Sequence, residues 1–164
     1  MPEFKQIVIN TSPIISIVAA LGDLSVLQDL YDRVNVPFEV SQEILVDNAS
    51  RFAAPEFEAD TWLSKENSPL EISPFLLNSL DRGEAAVIQL ALDRKIGTAC
   101  IDESVGRRFA RLSGLSVTGT IGILIRARQS GYPLSMKDAI QKMQTRGIRL
   151  SQAVIDFALD RTEE

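Results

Sequence analysis

Four positions have the side chains and the setting for metal or acid chemistry. Asn10 follows the apolar stretch "QIVI", and Asp102, with Glu103, follows "TACI". Glu84 opens the apolar run "GEAAVIQLAL", and Glu43 lies in the run after "VNVP". Ser12, Thr118 and Thr120 place hydroxyls at junctions of the same kind. Three or four such acids, working without imidazole, suit one or two hard cations such as Mg²⁺ or Mn²⁺. At such a site a metal activates water and offsets charge developing on a phosphate, so the reaction indicated is phosphodiester hydrolysis.

The absence of histidine from all 164 residues makes this chemistry more specific. It removes Ser-His-Asp and Cys-His nucleophile systems, the imidazole general base and most zinc sites. The one cysteine, Cys100, sits inside "TACI" and reads as a small buried hydrophobe, so disulfides play no part. Each acid also has a plain structural role open to it. Asp102 suits the N-cap of the helix that follows, Glu84 suits the positive end of a helix dipole, and Glu43 suits an exposed helix face four residues from Glu39. Against those roles stands the cost of an uncompensated carboxylate on a buried helix, which a bound cation relieves.

The elements that must position these residues are short. "QIVI", "RVNV", "TACI" and "LSVTG" read as buried strands, and "LEIS" as a further strand after a short helix at "WLSKE". Helices are expected at "PIISIVAALG", with Ser12 as N-cap, Pro13 first and Gly22 as the stop, and at "LSVLQDLY" and "FEVSQEILVDN". Others follow at "SLDRGEAAVIQLALDR", "ESVGRRFARLSG", "TIGILIRARQSG", "SMKDAIQKMQTRG" and "SQAVIDFALD", with a solvated tail from about residue 160. Short apolar strands separated by helices imply a three-layer α/β/α sandwich on a mainly parallel sheet of four or five strands. In such sheets ligands gather at the carboxyl ends of the strands, where the acids above fall.

At this length one domain is expected. No apolar run spans a membrane and "MPEFKQ" lacks signal-peptide character, so a cytoplasmic protein is expected. Residues 1–81 carry 4 Lys/Arg against 13 Asp/Glu, and residues 82–164 carry 13 against 9. Within the more basic half, Arg107, Arg108 and Arg111 share one helix at spacings that keep Arg111 on the face of its neighbours, close to Asp102. They suit RNA phosphates, or equally a solvated face. Apolar helices such as "IISIVAAL" are consistent with a homodimer. A small-ligand α/β domain is disfavoured, because no GxGxxG or Walker-type loop is present.

Five stretches in order, "VINTSPIIS", "VNVPFEVSQEI", "LDRGEAAVIQLAL", "ACIDESVGRRFARLSGLSVTGTIGILIRARQSG" and "GIRLSQAVIDFAL", resemble the PIN-domain superfamily. They look most similar to its bacterial branch of short nucleic-acid-binding proteins, which typically begin with Asp-Thr-Ser-Pro. The resemblance covers nearly the whole chain except 49–74. It implies a metal-dependent ribonuclease fold, in many relatives the toxin of a pair restrained by a small antitoxin protein. Carried over by motif, the acidic site comprises Asn10, Glu43, Glu84 and Asp102, with Glu103 adjacent and Ser12 as supporting hydroxyl. The chain departs from the pattern at Asn10, where the family has aspartate. An amide keeps one ligating oxygen but loses the charge and cannot bridge two cations. Two readings follow, a working ribonuclease with altered metal demand and a catalytically impaired nucleic-acid-binding or regulatory module.

Overall fold

The computed structural model describes residues 3–48 and 51–164. Five strands, β1 (Gln6–Ile9), β2 (Arg33–Val36), β3 (Ser64–Lys65), β4 (Thr98–Cys100) and β5 (Ser116–Thr118), form one all-parallel sheet in the order β3-β2-β1-β4-β5. Ile7 pairs with Val34, Val8 with Ala99 and Ala99 with Val117, and every one of these but Val117 is fully buried. Apolar side chains on both faces of the central strands require cover on both sides, which the helices supply.

α1 (Thr11–Leu21) and α2 (Val26–Leu30) link β1 to β2, and α3 (Phe38–Val46), a 3-10 turn at Arg51–Ala53 and α4 (Ala54–Ala59) link β2 to β3. α5 (Pro74–Ser79) and α6 (Arg82–Arg94) return the chain to β4, and α7 (Ser104–Leu112) leads to β5. α8 (Thr120–Gln129), α9 (Met136–Thr145) and α10 (Gln152–Arg161) complete the chain. α6 packs on β1 and β4 with α3, α5 and α7 beside it, whereas α1 packs on α9 and α8 and α2 on α8. The three-layer α/β/α architecture is therefore as the strand and helix pattern implies. A satellite core of Leu124, Met136, Ile140, Met143 and Ala158 seats α9 and α10 against α1 and α8.

Several local expectations fail, each for a physical reason. α1 begins at Thr11 with Asn10 at the N-cap, so Ser12 and Pro13 lie inside its first turn. "WLSKE" is no helix: Ser64 and Lys65 pair with the edge of β2. "LEIS" is no strand, because its backbone donors go to side chains. The Leu70 N–H donates to Glu39 Oε2 (2.8 Å) and the Ser73 N–H to Gln89 Oε1 (2.9 Å). The expected tail is instead the end of α10, and Glu164 accepts hydrogen bonds from the N-terminus of α9. The apolar side of α1, the sequence ground for a homodimer, lies in the core through Ile14, Ile17 and Val18. Among the described residues no helix is long and apolar enough to cross a membrane.

Candidate metal centre

β1 and β4 lie side by side, but the chain leaves β1 toward β2 and leaves β4 toward β5. Connections that diverge from neighbouring parallel strands open a crevice at their carboxyl ends. Asn10 and Asp102 stand there, and the Asn10 N–H donates to the Cys100 carbonyl (3.0 Å), fixing the two strand ends together. Asn10 takes the N-cap position with extended backbone (φ −87°, ψ 172°), yet its side chain makes no capping bond. Asn10 is buried, and its Oδ1 has no hydrogen-bond partner. An amide that gives up the cap it is suited to make, and is buried with a bare oxygen, calls for another partner.

The next residue ties this corner to α3. The Thr11 hydroxyl donates to Glu43 Oε2 (2.7 Å), and Glu43 is half-buried rather than on an open helix face. A Cβ at Gly83, one residue before Glu84, would run into Glu43 Oε1. Burial pushes the Glu43 carboxyl above its ordinary range, the Thr11 bond opposes this, and the Asp81 charge adds to it. Glu39, one turn earlier on α3 and expected to share an exposed face with Glu43, is instead buried and accepts the Leu70 N–H.

Glu84 is the most perturbed acid. Asp81 caps α6 by accepting the Glu84 N–H at Oδ1 (2.8 Å), which leaves the Glu84 carboxyl inside the protein with Oε2 buried and unpartnered. Its pKa is pushed up to about 7, first by burial and then by the negative charges of Asp81 and Glu103. Gly106 of α7 makes room for it, since a Cβ there would stand 2.5 Å from Oε2. Asp81, Thr11, Gly83 and Gly106 were not among the sequence candidates. Only Asp81 carried a readable signal, the capping distance of three residues from Glu84.

Asp102 is held from another direction. The Thr120 N–H donates to its Oδ1 (2.8 Å) and the Thr120 hydroxyl to its Oδ2 (2.7 Å), so the N-terminus of α8 orients the carboxylate. Glu103, not Asp102, is the N-cap of α7, and its side chain makes no capping bond. Ser12, Asp102, Glu103, Arg107, Thr118 and Thr120 line one cleft. Thr118 lies on its wall with its Oγ1 taken by an Arg126 guanidinium N–H (3.1 Å). Arg107 donates to the Ile101 carbonyl (2.8 Å), whereas Arg108 and Arg111 are exposed on α7 away from the cleft lining.

Oxygen-only donors and a carboxyl driven toward neutrality suit a hard divalent cation, and Asn10 Oδ1 and Glu84 Oε2 are buried without a protein partner, as are Glu39 Oε1 and Ser41 Oγ on α3 outside this set. Residues suited to hold it are Asn10, Glu84, Asp102 and Glu43. They form no closed cage: among the described residues no three Cys, Asp or Glu side chains converge as a metal-binding group. A family model described as a PIN domain matches residues 6–164. No curated protein and no solved structure matches the chain.

Proposed function

The chain belongs to the PIN-domain family, a nuclease fold, and on that premise we propose that it is an endoribonuclease dependent on Mg²⁺ or Mn²⁺. Bound at this site, such a metal supplies an activated water and charge compensation for the phosphate. Thr120 holds the Asp102 carboxylate in one orientation, and Thr11 does the same for Glu43. Glu84 contributes a carboxyl that gives up its proton near neutral pH, poised to exchange it for a cation. The observation that carries the reading is this buried carboxyl, with its Oε2 unpartnered in a glycine-cleared niche at the end of the sheet. The resemblance of its motifs to toxin-type PIN proteins supports a place as the toxin of a cytoplasmic pair with a small antitoxin protein. Asn10 favours one rival, a PIN-fold nucleic-acid-binding or regulatory module without catalysis.

Purified protein incubated with single-stranded RNA and Mn²⁺ separates the two. Under the nuclease reading the native chain cleaves, Asn10→Asp cleaves faster and binds Mn²⁺ roughly tenfold tighter through the added charge, and Glu84→Gln with Asp102→Asn is inert. If Asn10→Asp alone cleaves, the native chain is the module. If no variant cleaves and none binds Mn²⁺, the acidic-site reading fails altogether.

A further inference from the structure

Asp102 and Glu103, but not Asn10, Glu43 or Glu84, border a cleft of about 920 Å³ whose other wall is built by the loop between α9 and α10 and by the exposed side of α10. Asp102, Thr120 and Arg107 stand on the near side, and Arg149, Val154 and Phe157 on the far side. Arg107 spends one guanidinium N–H on the Ile101 carbonyl, and Arg149 is exposed. Among the described residues the ion pairs are Arg94–Glu66 and Arg128–Glu164, so neither Arg107 nor Arg149 has a carboxylate partner. Two guanidinium groups bordering a cleft, with their forks free of carboxylates, suit phosphodiester oxygens.

Phe157 is 48% exposed and joins neither hydrophobic core, whereas Ala158 beside it is fully buried and seats α10. The Arg161 guanidinium lies over the Phe157 ring, 4.6 Å from its centroid, which holds the ring in place while it lines the cleft. An exposed aromatic that lines the same cleft as Arg149 and Arg107 is a surface on which an unpaired base stacks while guanidinium groups hold its phosphates. A duplex keeps its bases stacked and paired and cannot present one to such a ring.

We propose that this cleft is a track for single-stranded RNA, in which Arg107 and Arg149 hold phosphates and Phe157 stacks one base opposite the Asp102 and Thr120 corner. The inference takes its choice of RNA from the nuclease reading and adds the wall that binds it. The test is fluorescence anisotropy of a labelled oligouridine of about 12 nucleotides, alone and as a duplex with oligoadenosine, in EDTA so that binding is read without cleavage. Phe157→Ala, Phe157→Trp and Arg149→Ala are each checked for folding by thermal melting.

Phe157→Ala is expected to weaken single-strand binding about tenfold, and Phe157→Trp to restore it. Arg149→Ala lowers the slope of log K against log salt by about 0.7. Wild-type affinity in both Phe157→Ala and Arg149→Ala, or equal affinity for duplex, overturns the proposal and leaves this wall to a protein segment. Binding that needs Phe157 and Arg149 without any cleavage in Mn²⁺ overturns the nuclease reading alone. Cleavage that is indifferent to both residues overturns this one alone.

Discussion

Glu84 makes the protein's stability depend on pH in a direction opposite to that of most surface acids. Its folded pKa of about 7 stands above the unfolded value of 4.5, so between these limits the folded state binds more protons than the unfolded one. Stability therefore falls as pH rises through that window, by on the order of 3 kcal/mol when complete. Glu43 is shifted in the same sense and adds to the slope. Native protein in EDTA is expected to lose melting temperature between pH 4.5 and 7, and Glu84→Gln to lose distinctly less, so that the variant is the more stable above pH 7. Mn²⁺ should raise the native melting temperature at pH 7.5, by the equivalent of about 2.7 kcal/mol at a hundredfold excess over its Kd, with a much smaller rise in the variant. Parallel pH profiles for the two proteins would show that Glu84 is not the strained group.

At the level of elements, the close approach of α7 to α6 is where packing overrules helix propensity. Gly106 lies inside α7, where alanine ordinarily gains about 1 kcal/mol. Here a Cβ would stand 2.5 Å from Glu84 Oε2 and 2.9 Å from Ile101 Cγ2, and overpacking of this kind costs about 1–3 kcal/mol. Gly106→Ala is thus expected to destabilise the fold and weaken Mn²⁺ binding. Gly97→Ala, with nothing within 4 Å of the added carbon, is expected to be neutral or to gain about 0.4–1 kcal/mol. Urea denaturation compares them, and a Gly106→Ala as stable as Gly97→Ala would remove the niche from the account. The same distinction explains which elements the sequence made legible. β1, β2 and β4 announce themselves because their apolar residues are buried on both faces, and α6 because its apolar surface is continuous, whereas β5 at the sheet edge is exposed to half-buried. β3 has two residues, polar ones at a sheet edge, and carries no period at all. "LEIS" alternates like a strand, yet Glu39 and Gln89, far away in sequence, take its donors. Asn10 and Asp102 were legible from their position after strands, whereas Thr11 and the two niche glycines take their roles only from contacts across the fold.

Across the whole molecule, Glu164 ties the end of α10 to the start of α9, the two helices behind the cleft's other wall. Glu164 accepts from the N–H groups of Met136 (2.6 Å) and Lys137 (3.1 Å), from the Ser135 hydroxyl (3.0 Å) and from Arg128 (3.0 Å), capping α9 from the far end of α10. Burial alone would raise its pKa, but these donors hold the carboxyl below its ordinary range. A depressed pKa gives stability that is present above 4.5 and is lost as pH falls through the folded value, so the clasp loosens in acid. Because α9 and α10 share a small satellite core with α1 and α8, apart from the main core under the sheet, loosening the clasp frees the hairpin before the sheet. Glu164→Ala removes a charge-assisted cap and is expected to cost about 1–2 kcal/mol. Amide exchange should then accelerate through 136–161 while β1 and β4 keep native protection. If Arg149 and Phe157 serve as the RNA-binding wall, single-strand affinity falls in Glu164→Ala although no residue in the cleft has changed. Glu164→Gln, which keeps the acceptor oxygen without the charge, should recover part of both. Uniform exchange across the whole chain in Glu164→Ala would mean that the hairpin and the sheet open as one unit, and that Glu164 guards global stability rather than the cleft.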